Sequence, residues 1–227
     1  MRAALVNSLG QAMQAFRVAR SAHRRPGRLG HVDEISDVGE KAAVILRTAG
    51  VELAPGLTDA EFDAVTEQHG FRFNPDHRSL LATALPAGDR WPDWRNGDEA
   101  HLRQMLDWPA RGMVFDALRQ DPPFWGASWG HRPATEGDVE AVTRRELAKW
   151  PQLIPIYGHR MTPAAPSPSG SPVFSVWQTD VIFYGANLLE YLANEMAMDG
   201  NLRLSPRSVD VPYWTMFVEA ANSADVI

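Results

Sequence analysis

The chain has 227 residues, which suits one large domain with or without an extension and is long enough to bury a core without disulfides or metal ions. It contains no cysteine, so disulfide frameworks, thiol catalysis and cysteine-ligated metal centres are excluded. The net charge is −6, but residues 1–30 carry six arginines and no acid, so the rest of the chain must carry −12 and should repel nucleic acid.

The first 36 residues are predicted to be a basic N-terminal extension, separate from a single domain over residues 37–227. Leu5, Leu9 and Met13 lie on one side of a possible helix in this extension. A basic tail of this kind is the one part of the chain expected to attract nucleic acid or tether the protein to an acidic surface. Polar residues interrupt its apolar stretch, so it is not read as a signal peptide, and no apolar run approaches the ~20 residues that span a bilayer. A cytoplasmic location is the expectation.

The domain opens with three predicted helices. The first covers 38–50 and ends at a glycine. The second follows Thr58, which with Glu61 forms the pattern of a capping box, and Gly70 favours its end. The third follows Asn74, with an apolar stripe that runs from Leu80 through Leu85 and stops at Pro86. A fourth, shorter helix is predicted at "EAHLRQMLDW".

The second half changes character. "GMVFDAL" is interpreted as a strand, and "GDVEAVTRRELAKW" as a helix. "LIPIY", "VFSVWQ" and "VIFYG" are rich in β-branched and aromatic residues and predict three more strands. Two helices are predicted after them, the last with Pro212 near its start. Helices first and clustered strands later favour an α+β fold, with helices on one face of a mainly antiparallel sheet.

Catalytic motifs are weakly supported. "GASWG" matches G-x-S-x-G, but Pro122 and Pro123 precede it and "HRP" follows, so the strand and helix that a nucleophile elbow needs are not predicted around Ser128. A hydrolase in which Asp180 orients His159 stays open as an alternative. The same pair is favoured as a structural contact, since buried polar groups need partners. No metal-ligand spacing or nucleotide-binding motif occurs, and no cofactor is expected.

Tryptophans in predicted loops are candidate interface anchors. Trp94, Trp125 and Trp129 lie outside the periodic helices and strands, and Arg95 and Arg132 follow close by. Tryptophan and arginine are the residue types that contribute most to protein interfaces. The alternative is that these rings pack under their own loops and that the arginines pair with acids of the same chain.

These residues resemble the SUKH superfamily, which contains Smi/Knr-type cell-wall regulators and bacterial immunity proteins. The resemblance covers about Val38 to Glu195. In residues 57–95 it lies in the capped helix, the Gly-Phe-x-Phe-x-Pro pattern and the leucine-rich helix. Further along, "PDWR", "FWGASWGHRP", "LIPIYGHRMTP" and "SPVFSVWQTDVIFYGANLLEYLANE" are similar to a stand-alone bacterial branch. Ser128 is outside that pattern.

The resemblance implies an α+β domain with a curved sheet and flanking helices, and it implies binding rather than catalysis. The expected function is a non-enzymatic protein-binding domain of the immunity or regulatory type, with a basic toxin domain as one candidate partner, because an acidic body attracts a basic protein. The oligomeric state stays open. The residues expected to bind the partner at the rim of the sheet are Trp94, Arg95, Trp125, Trp129, Arg132, Tyr157, His159, Arg160 and Asp180.

Overall fold

The computed structural model describes residues 30–196 and 204–224. Within those ranges the chain forms eight helices and six strands in a mixed arrangement. In chain order the elements are α1 (Gly30–Thr48), β1 (Leu53–Pro55), α2 (Asp59–His69), α3 (Pro75–Thr83), β2 (Ala84–Pro86), α4 (Glu99–Leu106), α5 (Trp108–Arg119), α6 (Glu136–Leu147), β3 (Leu153–Tyr157), β4 (Arg160–Pro163), β5 (Val173–Trp177), β6 (Asp180–Gly185), α7 (Leu188–Met196) and α8 (Trp214–Ala224).

The strands form two antiparallel sheets. Strands β3, β4, β5 and β6 are hydrogen-bonded in chain order, and β1 pairs with β2 in a separate two-stranded sheet. The predicted strands at "LIPIY", "VFSVWQ" and "VIFYG" are confirmed, whereas β1, β2 and β4 were not predicted. Both sheets are open and uncurled, so the expected curvature is not found.

Helices cover both faces of the four-stranded sheet, which corrects the expectation of one covered face. Phe174 and Val176 of β5 pack with Trp214 of α8 in one buried cluster. Val173 belongs to the opposite cluster, with residues of α1, α3 and α7 such as Tyr191. Successive side chains of a strand point to opposite faces, so a strand such as β5, with buried residues on both faces, must be covered on both.

The helix ends near the start of the domain are confirmed as predicted. Thr58 accepts a hydrogen bond from the backbone of Glu61, and the Glu61 carboxylate accepts one from the backbone of Thr58, which completes the capping box. Gly70 ends α2 in the left-handed conformation with φ of 75°. Asn74 caps α3, and Pro75 takes its first position. These caps fix the direction of the chain that carries Phe71 and Phe73 into the core.

Two assignments in the middle of the chain were wrong. "GMVFDAL" is not a strand but part of α5, which places Met113 and Ala117, four residues apart, in the core. The β-branched and aromatic residues of this short stretch hid that helical spacing. Helix α3 ends at Thr83, and Ala84–Pro86 continues as β2, so Leu85 reaches the core from a strand rather than a helix.

The predicted extension over residues 1–36 lies mostly outside the described residues, and α1 begins within it at Gly30. Its boundary with a domain over 37–227 stays a prediction. Among the described residues, no helix is both long enough and apolar enough to cross a membrane.

Candidate functional site

The stretch "LIPIYGHR" folds as β3, a tight turn and the start of β4. Gly158 has φ of 55°, and its N–H donates to the carbonyl of Arg90 over 2.7 Å. The Arg90 guanidinium lies 4.2 Å from the centre of the Tyr157 ring. A β-carbon on Gly158 would lie 3.1 Å from Nη2 of Arg90, so the glycine allows this close approach. The turn therefore places Arg90 beside His159.

A cleft of about 270 Å³ opens at this turn, and we call it the basic cleft. It is bordered by the loop before α4, by α4, by the first turn of α5 and by the ends of β3 and β5. Its lining combines four basic side chains with two tryptophans: Arg90, His101, Arg111, His159, Trp108 and Trp177.

The two tryptophans form one wall of the basic cleft. Trp177 is the last residue of β5 and is 51% exposed, although the other four residues of that strand are buried. Its ring centre lies 5.5 Å from that of Trp108 and 5.5 Å from that of His159. Trp108 is fixed by a hydrogen bond of 2.8 Å from its indole N–H to the carbonyl of Val176. One aromatic face is thus held at the opening.

The basic side chains of this cleft differ from most of the other arginines. Eight arginines of the described chain form ion pairs with acids, whereas Arg90 and Arg111 form none with any described residue. The side chain of His101 likewise has no hydrogen bond or ion pair there, although Asp98 accepts a bond from its backbone. The guanidinium groups of Arg90 and Arg111 are therefore not paired with a carboxylate of the described chain.

His159 is held in its neutral form. Burial lowers the pKa of the imidazole first, and the positive charges of Arg160 and Arg90 lower it further, while Glu195 opposes them. Nε2 of His159 contacts the Nη1 of Arg160. A guanidinium can only donate, so Nε2 accepts and the ring proton lies on Nδ1.

Arg160 faces away from the cleft and joins two elements of the fold. Its Nε donates to Oε2 of Glu195 in α7 over 3.0 Å, and Nη1 donates to Oγ of Ser175 over 2.6 Å. The guanidinium also lies 3.7 Å from the centre of the Tyr184 ring. Arg160 was expected to bind a partner at the rim, but only 12% of its side chain is exposed, and it ties β4 to α7.

Asp180 does not complete an acid–base pair. It is exposed at the start of β6, opposite Trp177 in the hairpin, and it forms no hydrogen bond or ion pair with His159 within the described residues. The turn beside it is held by Asp116 instead, whose carboxylate accepts from the N–H and hydroxyl of Thr179 over 2.9 and 2.6 Å. The geometry that a hydrolase would need at His159 is not formed.

Trp94 and Arg95 were expected to bind a partner at the rim of the sheet. Instead, Trp94 packs in the core, and Arg95 bonds to the capping box of α2. Trp94 is 5% exposed, and its ring packs edge-on against Phe71 and Phe73 at 5.7 and 5.2 Å. Arg95 donates to the carboxylate of Glu61 and to the carbonyl of Gly56. The bond from Arg95, together with those from the backbone and hydroxyl of Thr58, lowers the pKa of Glu61 to about 2.

The other predicted loop residues belong to a second surface, on the far side of α5. Six aromatic rings contact one another in sequence, with neighbouring ring centres 5.3 to 5.9 Å apart. None of the six is buried. In order of contact the rings are Trp125, Trp129, Phe124, Phe217, Trp150 and Tyr213, and together with Met216 they form what we call the aromatic surface.

One end of the aromatic surface is fixed by hydrogen bonds, and the other end is more exposed to solvent. At one end the indole N–H of Trp125 donates to the carbonyl of Gly130 over 2.8 Å, and Arg132 donates to the carbonyl of Ala117 over 2.9 Å, so the loop has a defined shape. At the other end Met216 of α8 is 69% exposed, and Tyr213, one turn earlier, is 44% exposed.

Ser128 lies in a turn within this loop and not between a strand and a helix. A β-carbon on Gly126 would approach the Trp129 ring to 2.6 Å, so this glycine allows the tryptophan to pack, whereas Gly130 takes the left-handed conformation with φ of 80°. The context of a nucleophile elbow is therefore absent here.

Of the residues that line the basic cleft, sequence reasoning named His159 as a candidate and missed the others. Trp108 and Arg111 are three residues apart on α5, and His101 and Gln104 are three apart on α4, so each pair shares a helix face. In α4 this spacing could have indicated that His101 and Gln104 share one face. In α5 the spacing of Trp108 and Arg111 was not recognised, because a strand was predicted to start just after Arg111.

Comparisons with protein-family models, with curated proteins and with solved structures find no match to this chain. Within the described ranges, no group of three or more histidines or carboxylates is placed to hold a metal ion.

Proposed function

We propose that this protein is a non-enzymatic binding domain whose partner is another protein, and that the partner docks on the aromatic surface. One observation carries the proposal: six aromatic rings, none of them buried, contact one another in sequence, and the exposed Met216 lies three residues after Tyr213, the last of them. Contiguous apolar surface of this kind is uncommon on proteins that bind nothing.

Residue type and rigidity support this choice. Tryptophan and tyrosine are enriched among the residues that dominate binding energy, because they bury a large area at low cost in conformational entropy. Trp125 and Trp129 are two of the residues expected from the sequence to bind a partner. Methionine adapts to differently shaped partners, which suits its place at the exposed end.

The charge of the chain indicates what kind of partner to expect. A net charge of −6, with the acids concentrated beyond residue 30, favours encounter with a basic protein. The resemblance to the SUKH superfamily adds a role as an immunity-type or regulatory protein, with a basic toxin domain as the candidate partner. We place this interaction in the cytoplasm, where a chain without cysteine suits the reducing conditions.

The test is affinity capture from the native lysate at low and moderate salt, read by mass spectrometry. Met216→Asp introduces a charge into the aromatic surface at a position that is 69% exposed, so the fold should tolerate it. Val44→Asp, on α1 and 44% exposed, is the matched control outside that surface. We expect a stoichiometric protein partner with the unmodified chain and with Val44→Asp, and at least about tenfold less with Met216→Asp.

Two results would contradict the proposal in different ways. Equal capture by both variants would mean that the partner binds elsewhere, and Trp129→Ala would then be tested to confirm it. Capture of no partner at either salt concentration would reject the protein-binding function itself. A nuclease or deaminase as the captured protein would support the immunity-type role.

A further inference from the structure

The basic cleft places two guanidinium groups, those of Arg90 and Arg111, in one concave site of a chain that is acidic overall. Arg90, His101, Arg111 and His159 line it, against Asp89 as the acid of the described lining. Arg111 has no ion pair or hydrogen bond with any described residue, and Arg90 contacts only the face of Tyr157 there. Two guanidinium groups that line one concave site and form no ion pair with a described carboxylate are suited to a phosphate or carboxylate, which they bind through paired, charge-assisted hydrogen bonds.

The same cleft presents an aromatic ring beside these cations. Trp177 is 51% exposed while it rests against Trp108 and His159. A tryptophan ring is costly to leave in water, and its exposed face is available to stack on a flat group. Cationic side chains and a stacking ring in one cleft select for a ligand that joins an anion to a planar ring.

The position of this ring is fixed before any ligand arrives. Trp108, on which Trp177 packs, is held by its hydrogen bond to Val176, and the turn after Trp177 is held by Asp116 through Thr179. Asp116 is itself buried. A preorganised wall lowers the entropic cost of binding.

The size of the cleft and the charge around it distinguish a small ligand from a polymer. A volume of about 270 Å³ lies near the lower end of the range of small-molecule sites. A nucleic-acid strand would extend beyond the cleft over a body whose acids outnumber its bases, and each further phosphate would be repelled. The observations therefore favour a single small molecule.

We propose that the basic cleft binds a small organic anion in which a phosphate or carboxylate is attached to a planar ring, with Arg111 and Arg90 holding the anion and Trp177 stacking on the ring. Neutral His159 contributes its Nδ1–H as a hydrogen-bond donor at the inner end. This activity is separate from the protein-binding role of the aromatic surface and does not depend on it.

The experiment is isothermal titration of the full chain with adenosine 5′-monophosphate, with its two halves, adenosine and inorganic phosphate, and with benzoate as a planar carboxylate. We expect saturable binding of the nucleotide at least about tenfold tighter than that of either half, because both the cations and the ring contribute. Saturation by benzoate without the nucleotide would also support the proposal and would assign the anion as a carboxylate.

Variants then locate the binding. Arg111→Ala should weaken nucleotide binding about tenfold. Trp177→Ala should weaken binding of the nucleotide but not binding of inorganic phosphate. Arg47→Ala is the matched control, since Arg47 is also exposed and without an ion pair among the described residues but lies on α1. Circular dichroism and thermal unfolding confirm that each variant is folded.

Three outcomes would overturn the inference. The first is no saturable binding of any of these probes. The second is inorganic phosphate binding as tightly as the nucleotide, which would remove the role of the ring. The third is a single-stranded oligonucleotide binding more tightly than the mononucleotide, which would identify the cleft as part of a nucleic-acid surface.

Discussion

The region around Trp94 and the region around Trp177 use the same residue types in opposite environments. Trp94 is 5% exposed and lies with the buried His77 against Phe73. The neighbouring Arg95 forms an ion pair with Glu61. In this region the polar groups of the side chains are either paired with the chain itself or enclosed within it.

Around Trp177 the corresponding groups face outward. Trp177 is 51% exposed, His159 is half-buried at the wall of a cleft, and Arg111 has no ion pair with the described residues. The comparison teaches that tryptophan, histidine and arginine indicate a binding site only where the fold leaves them without partners. Three predictions sharpen or break this distinction, from the largest expected effect to the smallest.

The largest effect is expected on stability at Trp94. Trp94→Ala removes a ring that packs in the core and should lower the free energy of unfolding by about 3 to 5 kcal/mol. Trp177→Ala removes an equally large ring that is half exposed and should cost less than about 1 kcal/mol. Urea unfolding followed by circular dichroism measures both. Similar losses for the two variants would break the comparison.

The second prediction compares an arginine that is paired within the fold with an arginine of the basic cleft. Arg160→Ala leaves Glu195, which is only 13% exposed, without its cation and should cost about 2 to 3 kcal/mol of unfolding free energy. Arg111→Ala should change it by less than about 0.5 kcal/mol, since no described residue pairs with Arg111. A double-mutant cycle with Glu195→Ala isolates the contribution of the pair. A coupling energy near zero would show that Arg160 does not tie β4 to α7.

The parts of the fold that depend on neighbouring residues could be predicted from the sequence. The capping box at Thr58 and Glu61, the left-handed Gly70 and the cap at Asn74 depend on neighbours within four residues, and all were predicted correctly. Strands β3, β5 and β6 were identified by their β-branched and aromatic residues.

The sites themselves depend on contacts between distant parts of the chain. Trp177 meets Trp108 across 69 positions, and Arg90 meets Gly158 across 68. No spacing in the sequence reports such contacts. The exposure of Trp94 was likewise undetermined, because a tryptophan after "PD" suits a loop as well as a core. The two loop tryptophans of the aromatic surface, Trp125 and Trp129, are four residues apart in sequence and were both named as candidates, but α8 joins them only through the fold.

The third prediction uses pH to separate a buried histidine from those at the cleft. His77 is fully enclosed, and burial lowers its pKa to about 3 from an ordinary value of 6.5. Between these values the unfolded chain binds a proton that the folded chain does not, so stability must fall as pH falls below 6.5. Between pH 6.5 and pH 5 the loss is expected to be about 2 kcal/mol from His77.

The variant His77→Leu should remove that part of the pH dependence, whatever it does to stability at neutral pH. The pKa values of His69 and His159 are also lowered by burial, so a smaller dependence of the same sign should persist in the variant. Urea midpoints at pH 7 and pH 5 for both proteins give the difference. An unchanged pH dependence in His77→Leu would mean that protons bind at the surface histidines instead, and the contrast between an enclosed core and an accessible cleft would lose its electrostatic support.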